Sequence, residues 1–504
     1  MIDRTDVTAN PANSKAQLGD KAASATRWAF ASQVAAKLIS PLTTMVLARL
    51  LTPEAFGVVA SVTMVTSFAD VFSDAGFQKY LVQHEYCCKD DLHRSASVAF
   101  WTNLTVSLGL WMLIAAFNEQ IATAVGNPGL GMVLVVAGFS ILLTALISVQ
   151  TGLFQRALDY RVLFKSKVIS SVVMLAVSVS LALLGFDYWS MVFGTISSNV
   201  FICVFLTVKS SWRPCFFFSF KELGEMFSFS GWTLLETISI WLVSWAGTFI
   251  VANTMTQNQV GLYKTATQMG TAVMGIVTSS VMPILFSSLS RLSSDRKAFD
   301  ATLYKVQACL AYVLVPMCCC LLLFRDLVIT VCLGDQWLDA SLYLGLFFFS
   351  SSIKIVLNNI CAEAYRSMGK PMYSMMVELA YLVILVPLLS LACANGWGAF
   401  SVAAGLAQLC LTVITLVVSH FLVGLSPRRM LKNCAPVFVA ALSCSLAIFL
   451  VRTFLPKSYL FDAVLIMLYI ALYLCLTYSS DKLSTIYNAA VQALRLPSKL
   501  LIAR

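Results

Sequence analysis

The sequence predicts an all-α integral membrane protein of about fourteen transmembrane helices: two parallel, pseudo-repeated six-helix lobes plus two C-terminal helices. Three observations lead there. The 504 residues are 59% hydrophobic and only 12% charged, with a mean hydropathy of +0.83; so few charges cannot cover a soluble chain of this length. Apolar runs of about 20 residues, the length that crosses a bilayer core, recur from end to end. The first half also resembles the second, at offsets of 204 and then 210 residues.

Taken in order, residues 1–26 are polar and carry Asp3, Asp6, Lys15, Asp20 and Lys21. No charged n-region leads directly into an apolar run with a cleavage site, so this stretch is expected to be a cytoplasmic N-terminal tail or an interfacial lead-in. The runs then fall near 28–48, 57–78, 95–117, 130–152, 168–186 and 188–208, giving a first lobe over 27–208. The segment KSSWRPCFFFSFKELGEMFSFSG mixes basic and aromatic residues, which suits a cytoplasmic amphipathic linker over 209–230; an ordinary linker fits as well. Runs near 231–252, 260–283, 304–324, 341–362, 372–392 and 397–421 make a second lobe over 231–426. Two more, near 434–454 and 459–479, lie in a segment 427–480 outside the repeat, and 481–504 forms a cytoplasmic C-terminal tail.

Charge sets the orientation. Arg49, Arg325, Arg452 and Lys457 lie on the predicted outer side, Lys37, Lys264 and Lys354 fall within spans, and every other Lys and Arg lies in a predicted cytoplasmic segment. That bias places both termini in the cytoplasm. It also accounts for the net charge of +10 without nucleic acid.

The repeat is visible residue by residue. A shift of 204 sets Trp28 on Trp232, Thr52 on Thr256 and Gly57 on Gly261, so VLARLLTPEAFG overlies IVANTMTQNQVG. A shift of 210 sets Arg156 on Arg366 and FQRALDY on AYRSMGK. Six crossings return the chain to its starting side, so the two lobes run parallel, a transporter habit in which substrate is handled at the interface of the repeats.

The first hairpin carries a resemblance. MVLARLLTPEAFGVVASVTMVTSFADVFSDAGFQKYLVQ, with its LARLLTPEAFG turn and the D-x-x-S-D-x-G pattern of Asp70, Ser73, Asp74 and Gly76, resembles the opening of Wzx-type polysaccharide flippases. The similarity is to the colanic-acid and succinoglycan exporter branch of the multidrug/oligosaccharidyl-lipid/polysaccharide exporter superfamily, and VCLGDQW at 331–337 is a weaker echo. The resemblance implies a bacterial inner-membrane, non-enzymatic transporter. Its substrate would be an undecaprenyl-pyrophosphate-linked exopolysaccharide, or O-antigen-like lipopolysaccharide, repeat unit moved by alternating access. It implies a lipid-facing wall or groove from the last two helices, and suggests cation antiport with H⁺ or Na⁺ as the coupling ion. Membrane lipids and a polysaccharide polymerase and co-polymerase would be its partners.

Candidate site residues are charges inside spans, which are costly unless solvated or paired. Lys37, Lys264 and Lys354 are candidates for a cationic cavity that offsets the pyrophosphate and acidic sugars of such a substrate, since an ammonium counts for more where water is scarce. Each has snorkelling to the headgroups as its alternative, Lys264 most of all because it lies a turn from the outer edge. Asp70 and Glu236 are candidates for ion coupling, although both lie where they would also reach cytoplasmic water, as would Asp74. Polar faces recur at helical spacing: Ser140, Thr144, Ser148, Thr151 and Gln155; Lys264, Gln268, Thr271, Gly275 and Ser279; Ser351, Lys354 and Asn358. Gln268, Asn358 and Ser148 are the expected polar lining. Trp241 and Trp245, one turn apart, would serve as a sugar platform or, more commonly, as interfacial anchors.

Enzyme signatures are missing. There is no Walker A sequence, the three histidines (His84, His93, His420) pair with no carboxylate motif, and predicted outer loops of about 20 residues are too short for a catalytic domain. A cation-coupled multidrug exporter of the same superfamily stays as an alternative, with a glycan polymerase or ligase behind it. Most of the 15 cysteines lie in apolar runs as small hydrophobes. His84-x-x-Cys87-Cys88-x4-His93 has ligand-like residues but matches no established spacing, so no metal or cofactor is expected.

Overall fold

A computed structural model describes residues 11–479 apart from 75, 87, 371 and 457; several side chains within 11–36, 73–74, 89 and 228–236 also lie outside the description. The described residues are almost all helical, with no strand among them. Among the described residues, thirteen helices are long and apolar enough to cross a membrane. The remaining predicted run, 28–48, lies within a fourteenth long helix that starts at Pro11. The lead-in from 11 to 26 is therefore helix continuous with the first span, and the C-terminal tail lies outside the described residues.

The chain divides into two units at Trp241 and Leu242, a few turns later than the lobe boundary read from hydropathy. The reason is local. After an extended stretch at 210–219, helix resumes at Phe220 and continues without a breaker to Thr254, so the second half of the expected linker is the start of the seventh long helix.

Unit 1 holds α1 (Pro11–Leu50), α2 (Pro53–Asp74), α3 (Phe77–Gln83), α4 (Lys89–Ala116), α5 (Asn118–Ala124), α6 (Gly131–Arg156), α7 (Tyr160–Leu183), α8 (Tyr188–Lys209) and the start of α9 (Phe220–Thr254). The α1–α2 turn follows from its residues. Thr52 Oγ1 accepts from Ala55 N at 3.3 Å, and Pro53 occupies the first helical position, where its missing N–H costs nothing. Val58 and Val62 of α2 pack on Ile114, Leu134, Ile141 and Val192. A second cluster joins Phe77 and Leu81 to Ala96, Val149, Trp212 and Met226, which binds the 210–219 stretch to this end of the unit. Trp101 donates to the Cys215 carbonyl at 2.9 Å, and Ser95 to Glu222 at 3.0 Å. Arg156, at the end of α6, caps α3: its Nη1 donates to the carbonyls of Leu81 (2.9 Å) and His84 (2.6 Å), while Tyr86 covers the guanidinium. Burial pushes the Tyr86 phenol up, Tyr80 adds to this, and the Arg156 charge opposes it.

Unit 2 holds the rest of α9, α10 (Gln257–Arg291), α11 (Arg296–Leu323), α12 (Arg325–Cys332), a 3₁₀ turn (Asp335–Ala340), α13 (Ser341–Lys354), a π turn (Ile355–Asn359), α14 (Ile360–Ser367), α15 (Met372–Cys393), α16 (Trp397–Val418), a second π turn (Ser419–Val423), α17 (Pro427–Phe454) and α18 (Tyr459–Ser479). The order of long helices repeats that of unit 1, with short α12 matching α5, but α3 has no separate counterpart because α10 runs on to Arg291. Thr256 repeats the role of Thr52: its Oγ1 accepts from Gln259 N, and Gln259 reaches back to Thr256 N in a capping box. At the other end of the repeat the two arginines superposed by the shift of 210 are not structural equivalents, because the closing hydrogen bonds of the two helices set Arg366 opposite Gln155. Arg156 caps a neighbouring helix, whereas Arg366 pairs with Glu363 at 2.9 Å.

The last two helices pack along α11. Asn433 donates to the Tyr304 carbonyl (2.8 Å), Tyr473 to the Tyr312 carbonyl (3.0 Å) and Arg452 to the Leu323 carbonyl (2.6 Å). Asp462, the residue α18 brings opposite, pairs with Arg452 at 3.0 Å. Val439, Leu446, Phe454, Val464 and Met467 are left exposed, as lipid-facing side chains should be.

Candidate functional site

Lys37 is half-buried on α1, and Asp70 half-buried on α2. The side chains of Asp74 and Glu236 lie outside the described residues. In unit 2, Lys264 on α10 and Lys354 at the end of α13 are both half-buried.

Lys264 has the most developed surroundings. Its Nζ sits 3.3 Å from the centroid of the Trp245 ring on α9, well within range for a cation–π contact. Two features of the backbone bring them together. The capping box fixes the start of α10, and the absence of a side chain at Gly247 leaves room for the Tyr263 hydroxyl of α10 against α9. One turn beyond Lys264, Gln268 is exposed. The pair is a desolvated positive charge backed by an aromatic face: the ammonium suits a phosphate or carboxylate, and the ring suits the apolar face of a sugar.

Trp241, the other half of the expected platform, points its chemistry elsewhere. Its Nε1 donates to Ser67 Oγ at 3.0 Å and its ring lies 4.6 Å from Phe68. The two tryptophans therefore have different partners.

Two expected lining residues are packed inside the protein. Asn358 is buried and donates from Nδ2 to Thr415 Oγ1 at 2.8 Å; Ser148 is buried in α6. Helical spacing identifies a polar face correctly in both cases but cannot say whether water or a neighbouring helix meets it, and here a helix does for Asn358. The face carrying Lys264 behaves differently: Gln268 and Thr271 are exposed, whereas Gly275 is buried. In the histidine–cysteine stretch, His84 stacks on Tyr80 and Cys87 lies outside the described residues. No group of three or more His, Cys, Asp or Glu stands ready for a metal among the described residues.

The fold is that of a multi-pass helical membrane protein. Residues 46–342, which begin inside the MVLARLLTPEAFG motif and cover more than half the chain, match the polysaccharide biosynthesis protein family, and the chain belongs to it, with the Wzx-type polysaccharide flippases. It is 26% identical to the succinoglycan biosynthesis transport protein ExoT of Rhizobium meliloti over 326 residues, 65% of either chain, so the alignment spans just under two thirds of that relative. It is 20% identical to the lipopolysaccharide biosynthesis protein WzxC of Escherichia coli, covering 72% of this chain and 71% of that one. Among solved structures, the lipid II flippase MurJ in an inward closed conformation superposes with a TM-score of 0.70 at 15% identity, covering 92% of this chain and 98% of MurJ. An inward-facing multidrug resistance MATE family transporter gives 0.56 at 13% identity, over 76% and 94%. At those identities the likeness is one of fold.

Proposed function

We propose that this protein is a flippase that moves undecaprenyl-pyrophosphate-linked exopolysaccharide or O-antigen-like repeat units from the cytoplasmic to the periplasmic leaflet of the inner membrane. It does so by alternating access through a cationic cavity, driven by a cation gradient. Family membership supports the substrate class. The observation that carries the site is the Lys264 ammonium, half-buried on a membrane helix and held over Trp245. A charge kept at that depth is costly, and its face-on aromatic partner offsets only part of the cost. An arriving pyrophosphate or uronate offsets more, so the substrate headgroup is drawn to this position, while Lys37 and Lys354 supply further positive charge. Asp70 and Glu236 are assigned to the coupling ion, and both termini to the cytoplasm. The product is a lipid-linked unit presented to a polymerase and its co-polymerase.

The test is a deletion strain scored for lipid-linked repeat units retained on the cytoplasmic leaflet and for polysaccharide in the medium, complemented with single variants. Lys264→Ala is expected to cut secretion at least tenfold at normal protein level, and Lys264→Arg to retain part of it. Full secretion by Lys264→Ala, Lys354→Ala and Lys37→Ala combined would remove the cationic site and leave only the family.

A further inference from the structure

Unit 2 contains two π turns, Ile355–Asn359 and Ser419–Val423. Such turns are rare, arise from one extra residue in an α-helix, and concentrate at functional positions. These two lie on neighbouring helices and are tied to one another. Asn358 at the end of the first donates to Thr415, one turn before the second. Tyr365, on α14, donates to the Thr415 carbonyl at 3.3 Å and shares a hydrogen bond with Ser419 Oγ. On the other side of Lys354, Ser350 and Ser351 both donate to Gln408 Oε1 of α16, at 3.1 and 3.2 Å. Ser350, Ser351, Asn358, Thr415 and Ser419 are all buried.

The corresponding helices of unit 1, α6 and α8, are unbroken α-helix. The closing hydrogen bonds show where the extra residue went. Leu158 N to Gln155 O and Asp159 N to Phe154 O end α6, and Gly369 N to Arg366 O and Lys370 N to Tyr365 O end α14 in the same way. Since the two helices start at Gly131 and Ser341, the unit 2 stretch is one residue longer. It also pairs Gln155, rather than Arg156, with Arg366.

A packed apolar seam resists sliding because its side chains interlock. A seam of hydroxyls does not, since each hydroxyl both donates and accepts and can take a new partner without leaving a buried group unmatched. An extra residue in a helix can pass along it one position at a time. As it passes a residue, that residue turns by about 100° relative to the rest of the helix. Lys354 borders the first π turn directly.

We propose that the paired π turns are a register hinge in unit 2, which shifts along α13–α14 against α16 during transport and turns the Lys354 ammonium between two directions. The consequence for Lys354 rests on the function proposed above; the hinge itself rests on the paired turns and their seam.

The test is Asn358→Cys/Thr415→Cys in the full-length protein, at two positions whose side chains already touch. Cells secreting their own polysaccharide are oxidised with copper phenanthroline, and hexose in the medium is followed before and after dithiothreitol. A cross-linked pair is expected to secrete at least tenfold more slowly and to recover on reduction, while each single variant is unaffected by the oxidant. Secretion at the wild-type rate with the pair cross-linked would overturn the hinge. Should the double variant not accumulate in the membrane, deletion of Leu357 decides. It removes the extra residue and leaves both flanks in phase, so normal accumulation with a tenfold loss of secretion supports the hinge, and wild-type secretion overturns it. Lys354→Ala separates the two claims: unimpaired secretion there, alongside a reversible block by the cross-link, rejects the role given to Lys354 and leaves the hinge standing.

Discussion

Lys264 and Trp245 are each conspicuous in the sequence, yet nothing in the sequence joins them. Helical periodicity says which residues share a face, but which faces of two helices meet is set by side-chain packing between them, as where the Tyr263 hydroxyl lies against Gly247. That is why the lysine with the strongest case for snorkelling turned out to have an aromatic partner at 3.3 Å. A cation–π contact shielded from water contributes about 1–2 kcal/mol. In a double-mutant cycle in detergent, Lys264→Met and Trp245→Leu should therefore couple by about 1 kcal/mol, with Trp245→Phe retaining part of the coupling. Additive losses in thermal unfolding would mean that the ring merely sits beside the ammonium. Asn358 and Ser148 teach the complementary lesson, because a polar side chain on such a helix can be buried against its neighbours, as Asn358 is where it donates to Thr415.

Elements were far more legible than contacts, because span length and apolarity are properties of a segment by itself. The hairpin turns were legible as the aligned stretches LLTPEAFG and TMTQNQVG, although the capping by Thr52 and Thr256 is seen only in the structure. The π turns were not. Their i→i+5 bonding leaves no mark in composition, and the stretch Ile355–Asn359 reads as ordinary helix. Nor did hydropathy reveal how the last two helices attach, since Arg452 counted only as one more outer charge. In the structure it donates to the end of α11 and pairs with Asp462. Arg452→Met should loosen the α17–α18 pair more than Asp462→Asn, because the first loses the Leu323 carbonyl, the ion pair and the stack on Phe324, whereas the second keeps two of these. Thermal unfolding in detergent and limited proteolysis after residue 426 read the difference. Equal effects would show that the ion pair alone fastens these helices.

At the scale of the whole molecule, the repeat supplies two units of one design that have since diverged. Unit 1 has no π turn among its described residues and holds both candidate coupling carboxylates, Asp70 and Glu236, with Lys37; unit 2 has both π turns, Lys264 and Lys354. With both carboxylates in unit 1 and two of the three lysines in unit 2, the work is divided unevenly, the ion read on α2 and the anionic substrate chiefly on α10 and α13. If so, the gradient requirement should be separable from substrate handling. Wild-type secretion should stop within minutes of adding either nigericin or monensin, whichever dissipates the gradient used. Asp70→Asn, which cannot exchange a proton and binds Na⁺ more weakly, should lower secretion at least tenfold and make what remains indifferent to that ionophore. Lys264→Ala should do the opposite, leaving a small secretion that the ionophore still abolishes. Residual transport equally sensitive in both variants would show that ion and substrate are read by the same residues, and that the two halves have not specialised.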